Sequence, residues 1–144
     1  METLLEKISL LKAQFASCKS KEEIYGKIME LGKQLKALGP EDKIPSNLVS
    51  GCQSIMYLKS SFQNGKMFFE ADSNALISAG LAFLLIFVYS GQSPETILLK
   101  PPQFLNEMGI YSSLSLNRAN GLMNIFLKMK QEAVKSLSKA NNLV

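Results

Sequence analysis

The sequence predicts an α+β fold: a small antiparallel sheet of about three strands covered by helices, with a helical pair at the N-terminus and one helix at the C-terminus. Three observations predict it. Apolar residues recur at helical spacing over residues 3–38 and again over 118–139. The dipeptide Asn64-Gly65 separates two runs with the alternation of half-buried strands. A 15-residue apolar run, Ala75 to Tyr89, follows directly.

The first helix is expected from about Thr3 to Cys18, with Leu4, Ile8, Leu11, Phe15 and Cys18 on one stripe. The second is expected from about Lys21 to Leu38, with Ile24, Ile28, Leu31, Leu35 and Leu38 on one face. Ser20 and Glu23 have the spacing of a capping box, and Gly39-Pro40 stops the helix. Glu41 to Ser46 reads as an exposed connector.

Asn64-Gly65 supplies the two positive-φ positions of a type I′ turn. Folding the chain about it pairs Phe62 with Met67, Ser60 with Phe69 and Leu58 with Ala71 on one face, and Lys59 with Glu70 on the other. A short edge strand at Asn47 to Ser50 would leave Cys52 in a loop between two strands. Asp72 or Ser73 is the expected cap of an apolar helix from Asn74 to Tyr89, ended by Gly91. Ser93-Pro94-Glu95 opens a short helical turn, and Pro101-Pro102 opens another that Gly109 closes. Asn117 is the expected cap of a last helix over Arg118 to Lys139, with Leu122, Phe126, Met129, Ala133 and Leu137 inward and Lys128, Lys135 and Lys139 on the opposite side.

At 144 residues, 47% hydrophobic and 19% charged, the chain has the length and composition of one folded domain, residues 1–144. The apolar run is shorter than the 18 or so residues that span a bilayer, and Ser78 and Gly80 interrupt it, so it reads as a buried core helix and no membrane partner is expected. Acidic residues begin at Glu2 and no apolar leader follows; with cysteines that read as free thiols, this suggests the cytoplasm. The net charge of +4 resides in residues 112–144, which carry 5 basic groups and 1 acidic group. Those lysines have no interleaved aromatics and no groove-reading motif, so no nucleic-acid partner is expected; a solvated helix face is the reading, with an acidic protein surface second.

The chain has no histidine and only two cysteines, Cys18 and Cys52. A thiol without any imidazole cannot run Cys/His acyl transfer, and two cysteines do not make a four-ligand zinc site. No metal site and no bound cofactor are expected. Cys18 completes the apolar stripe of the first helix and reads as core; pairing with Cys52 is the alternative. Cys52 lies off every stripe, in Gly51-Cys52-Gln53-Ser54. It is either a small buried hydrophobe or a nucleophile on a loop that Gly51 allows to turn sharply. As a nucleophile without a base, its natural chemistry is sulfur exchange. Arg118 is the only arginine, either an exposed charge near a helix start or a permanent cation that stabilises a thiolate.

The segment Val49 to Leu58 resembles the active-cysteine segment of the SufE proteins, sulfur acceptors that work with cysteine desulfurases. Glu30 to Leu35, Asp72 to Leu81 and Leu114 to Leu122 are similar to three further segments of that family, in the family's order. Ser113, Leu116, Tyr57 and Asn74 stand where the family often has histidine, proline, tryptophan and a second aspartate. The resemblance implies a SufE-like fold, and a carrier rather than a stand-alone enzyme. A pyridoxal-phosphate-dependent, SufS-like desulfurase would donate persulfide sulfur to Cys52 and be stimulated by it, and an iron–sulfur scaffold complex would receive the sulfur. Arg118 would position or stabilise the thiolate, and Gly51, Gln53 and Ser54 would shape the loop. It also implies that the cysteine turns toward an apolar pocket at rest, in a monomer or homodimer. The alternatives are an acceptor feeding another thiolation pathway and a desulfurase-binding modulator that carries no sulfur.

Overall fold

The computed structural model describes residues 2–142. Helices α1 (Leu4–Phe15) and α2 (Lys21–Gly32) precede a hairpin of β1 (Met56–Gln63) and β2 (Lys66–Ser73). Then come α3 (Leu76–Tyr89), α4 (Pro94–Leu99), α5 (Phe104–Glu107) and α6 (Leu116–Asn142). Among these residues no helix is long and apolar enough to cross a membrane.

Helix α2 is capped as expected, and α1 is capped by Thr3, the residue expected to begin it. Thr3 accepts from the amide of Glu6, and Ser20 accepts from that of Glu23 while Glu23 returns to the amide of Lys19. Cys18 lies just beyond α1, partly buried against the core. However, α2 ends at Gly32 rather than near Leu38, and Gln34 and Leu35 continue it only as tight turns onto Leu31 and Gly32. The reason is tertiary. A Cβ on Gly32 would lie 2.6 Å from the Leu76 carbonyl, so the helix reaches α3 backbone to backbone there.

The hairpin register matches the expected one: Phe62 faces Met67, Ser60 faces Phe69, Leu58 faces Ala71 and Lys59 faces Glu70. Asn64 and Gly65 take φ of 53° and 78°, as the turn requires. Phe62 nonetheless stays exposed at the turn end of its strand, and Lys59 takes its ion pair from Asp42, at 3.2 Å. The sheet has two strands, not about three. The expected edge strand is a 3₁₀ turn over Pro45–Asn47 and a single bridge, Leu48 to Tyr57, because Pro45 on one side and the Gly51 turn on the other leave no room for a ladder.

Helix α3 is the central element, its middle turns buried against α1, α2, β2 and α6. Its cap differs from expectation. Asp72 instead accepts from the amide of Leu38 and pairs with Lys43, fastening the 38–47 connector to the hairpin. Ser93 caps α4 by accepting from Thr96. Ser115, not Asn117, caps α6 by accepting from the amide of Arg118. Leu122, Phe126, Met129 and Ala133 are buried as expected, and Leu137 is half-buried. Lys128 does not stand on a free solvated face: it is mostly covered, donates to the Ser46 carbonyl and pairs with Glu132.

The α2–α3 contact is a backbone-to-backbone one. A Cβ on Gly80 would overlap the carbonyl oxygen of Ile28, a backbone atom that cannot swing aside. Gly80→Ala is therefore expected to destabilise by about 3 kcal/mol, the upper range for overpacking. Urea unfolding checks this; a midpoint equal to that of the parent would mean that the two helices separate freely.

Candidate functional site

Residues 50–55 form a loop tied down at its base. The Val49 amide donates to the Met56 carbonyl at 2.8 Å, while Ile55 donates to the Asn74 side chain at 3.1 Å and accepts from the Ser73 hydroxyl at 2.8 Å. Between these anchors Gly51 takes φ of 81°, a conformation that favours glycine. That turn carries Cys52 inward, onto the first turns of α6.

Three contacts hold the loop there. The Asn124 amide donates to the Gly51 carbonyl at 3.2 Å. The Cys52 thiol faces the Gly121 carbonyl at 3.9 Å, and Arg118 donates through Nη1 to the Ser54 hydroxyl at 3.3 Å. Arg118 reaches α3 as well, donating to the buried Ser78 at 3.1 Å. Gly121 lies directly beneath the thiol: a Cβ there would stand 3.9 Å from Sγ, in ordinary contact. Cys52, Gln53, Arg118, Met56, Leu81 and Ile125 are among the residues that line a pocket of about 10 Å³, the space of about one water molecule.

The five residues singled out from sequence thus meet in one place, with different parts. Cys52 and Arg118 share the pocket, Ser54 receives the guanidinium, Gly51 supplies the turn, and Gln53 lines the rim while exposed. Sequence reasoning missed Ser78, Gly121 and Asn124. Ser78 is a hydroxyl within an apolar run; Arg118, Gly121 and Asn124 recur every three residues as polar or small positions on one helix face. That periodicity was the available signal.

Electrostatically the site favours the neutral thiol. Burial pushes the Cys52 thiol above the ordinary range, because a thiolate would lose its hydration. Arg118 spends the hydrogen bonds of Nη1 on two serines. The closed loop therefore holds a protonated, shielded sulfur.

The SufE family model, described as an Fe–S metabolism associated domain, matches residues 9–133. The chain belongs to the SufE family. Among relatives, it is 33% identical over 132 residues to an uncharacterized SufE-like protein of Synechocystis, covering 92% of this chain and 83% of that one. It is 33% identical to the chloroplastic/mitochondrial SufE-like protein 1 of Arabidopsis thaliana, covering 93% of this chain but 36% of that protein. A cysteine desulfuration protein SufE of Plasmodium falciparum is 29% identical, with 80% of this chain and 48% of that protein covered. The solution structure of a hypothetical protein from Thermus thermophilus superposes with a TM-score of 0.74 at 22% identity, over 92% of this chain and 96% of the other, and shows the same fold. This SufE chain thus has the α+β fold expected for it, with one strand fewer.

The raised thiol pKa fixes the sign of a pH effect. The closed loop binds the thiol proton more tightly than an open one, so its advantage is full below the ordinary thiol pKa and is lost as pH rises through the raised value. Alkylation of Cys52 by iodoacetamide, followed against pH in the isolated protein, is expected to be slow at neutrality and to titrate above an ordinary thiol. A profile at or below the ordinary range would contradict a shielded resting thiol.

Proposed function

We propose that this SufE protein is a sulfur acceptor and carrier: Cys52 takes persulfide sulfur from a cysteine desulfurase, relieves and so stimulates that enzyme, and passes the sulfur to an iron–sulfur scaffold in the cytoplasm. The observation that carries the reading is the Cys52 thiol itself, set on a glycine-turned loop and half-buried beside Arg118. The family's description, an Fe–S metabolism associated domain, supports the destination, and the name of the Plasmodium relative, a cysteine desulfuration protein, supports the donor.

The chemistry balances without an added oxidant. The Cys52 thiol loses its proton to solvent and the thiolate attacks the outer sulfur of the donor's persulfide. A new S–S bond forms at Cys52, the donor's S–S bond breaks, and its cysteine departs as a thiolate. The sulfur is handed over with no net change of oxidation state. The attacking atom must be deprotonated and reachable in line, and the closed site provides neither. Docking on the desulfurase holds the loop open in this reading. Opening takes Ser54 away from Arg118 and frees that guanidinium to receive an anionic sulfur held near it.

The test is intact mass spectrometry after mixing the protein with cysteine and its desulfurase without reductant. One added sulfur, removed by dithiothreitol and missing in Cys52→Ser, is the expected outcome. Stimulation of the desulfurase that survives Cys52→Ser, with no sulfur gained by the parent, would instead make this a modulator that carries nothing.

A further inference from the structure

We propose that Asn124 is a positioning residue for sulfur transfer: its side-chain amide latches the Gly51 carbonyl to α6 and thereby sets how often the Cys52 loop opens. The inference rests on the reading of Cys52 as sulfur acceptor but is carried by separate geometry.

The loop lies antiparallel to α6, so that Gly51, Cys52 and Ser54 meet Asn124, Gly121 and Arg118 in turn. These three contacts differ in kind. The thiol–carbonyl approach at 3.9 Å is long and depends on the sulfur keeping its proton. Arg118 is divided between the loop and Ser78 of α3, so that it stays anchored whether or not Ser54 leaves. Among the described residues, Asn124 alone joins α6 to the loop backbone on the N-terminal side of the cysteine, at the residue where the chain turns.

The fit there is close. A Cβ at Gly51 would come within 2.5 Å of Asn124 Nδ2, so glycine is required by the latch as well as by φ. The hinge and the latch are therefore one device: positive φ aims the carbonyl at α6, and the amide receives it. The charged group that shares the pocket is Arg118, and the latch leaves it in place. Losing a single neutral hydrogen bond of this type shifts a closed–open equilibrium by roughly threefold to tenfold.

The decisive experiment follows alkylation of Cys52 by iodoacetamide in the isolated protein, read by peptide mass spectrometry, for the parent, Asn124→Ala and Asn124→Leu. Leucine keeps the volume of asparagine and removes the donor. Both variants are expected to alkylate Cys52 about threefold to tenfold faster, with the pH profile moved toward that of an ordinary thiol. Cys18, packed against the core after α1, is the internal control and should not change. If Asn124→Ala also speeds Cys18, it has loosened the fold, and Asn124→Leu decides. Parent-like rates in Asn124→Leu would overturn the proposal, because cover by the side chain and not its hydrogen bond would then hold the loop. No desulfurase is present, so this result stands or falls separately from sulfur acceptance. A chain that never takes up sulfur would sink the carrier reading and leave the latch result untouched; sulfur uptake with parent-like alkylation would sink the latch alone.

Discussion

Helix α3 can occupy the centre of this protein only because two glycines let α2 lie against it at backbone distance. Gly32 faces the Leu76 carbonyl and Gly80 faces that of Ile28, so each helix presents its bare backbone to the other. At this spacing the larger side chains on either side, Ile28, Leu31, Leu81 and Leu84, close around the contact and are almost fully buried. The other faces of α3 are then free to receive the hairpin and α6. Ser78 stands two residues before Gly80 on the same helix, so the contact that fixes α3 also fixes the α3 anchor of Arg118.

From that frame the site is assembled by two helices and one loop. Helices α3 and α6 are continuous structure, and they hold Ser78, Arg118, Gly121 and Asn124 in fixed relation. The loop is fastened at Val49, Ile55 and Met56 by main-chain and Asn74 contacts, yet the residues between touch α6 mainly through a few weak bonds. Such a segment has a low cost of local opening relative to the core. The shielding keeps a free thiol from oxidants and stray disulfides, and in the proposed function it also withholds the thiolate until the loop is drawn out. In the proposed function, storage and reactivity are two positions of one loop.

The parts legible in the sequence were those set by local chemistry. Asn64-Gly65 and strict alternation fixed the hairpin register, since a slip by one residue would turn Leu58 and Ala71 outward. Ser20 and Ser93 cap the helices they precede, and Glu23 in the first turn of α2 completes its capping box. What escaped was set by distant partners. The end of α2 depends on α3, the fate of Asp72 depends on Leu38 and Lys43, and the Leu48 bridge never becomes a strand between a proline and a positive-φ glycine. In the site, Cys52 with its glycine was legible from its neighbours, and Arg118 from its being the only arginine and from the family resemblance. Asn124 and Ser78 were not, because their roles exist only once α6 and α3 face the loop.

The most direct test of the account is a single turnover. A desulfurase loaded with persulfide and freed of cysteine is mixed with this protein, and sulfur is located on both chains by peptide mass spectrometry over time. The account predicts that each sulfur lost by the desulfurase appears on the Cys52 peptide, with none on Cys18. Sulfur on Cys18, or retained by a desulfurase that this protein has demonstrably bound, would contradict it.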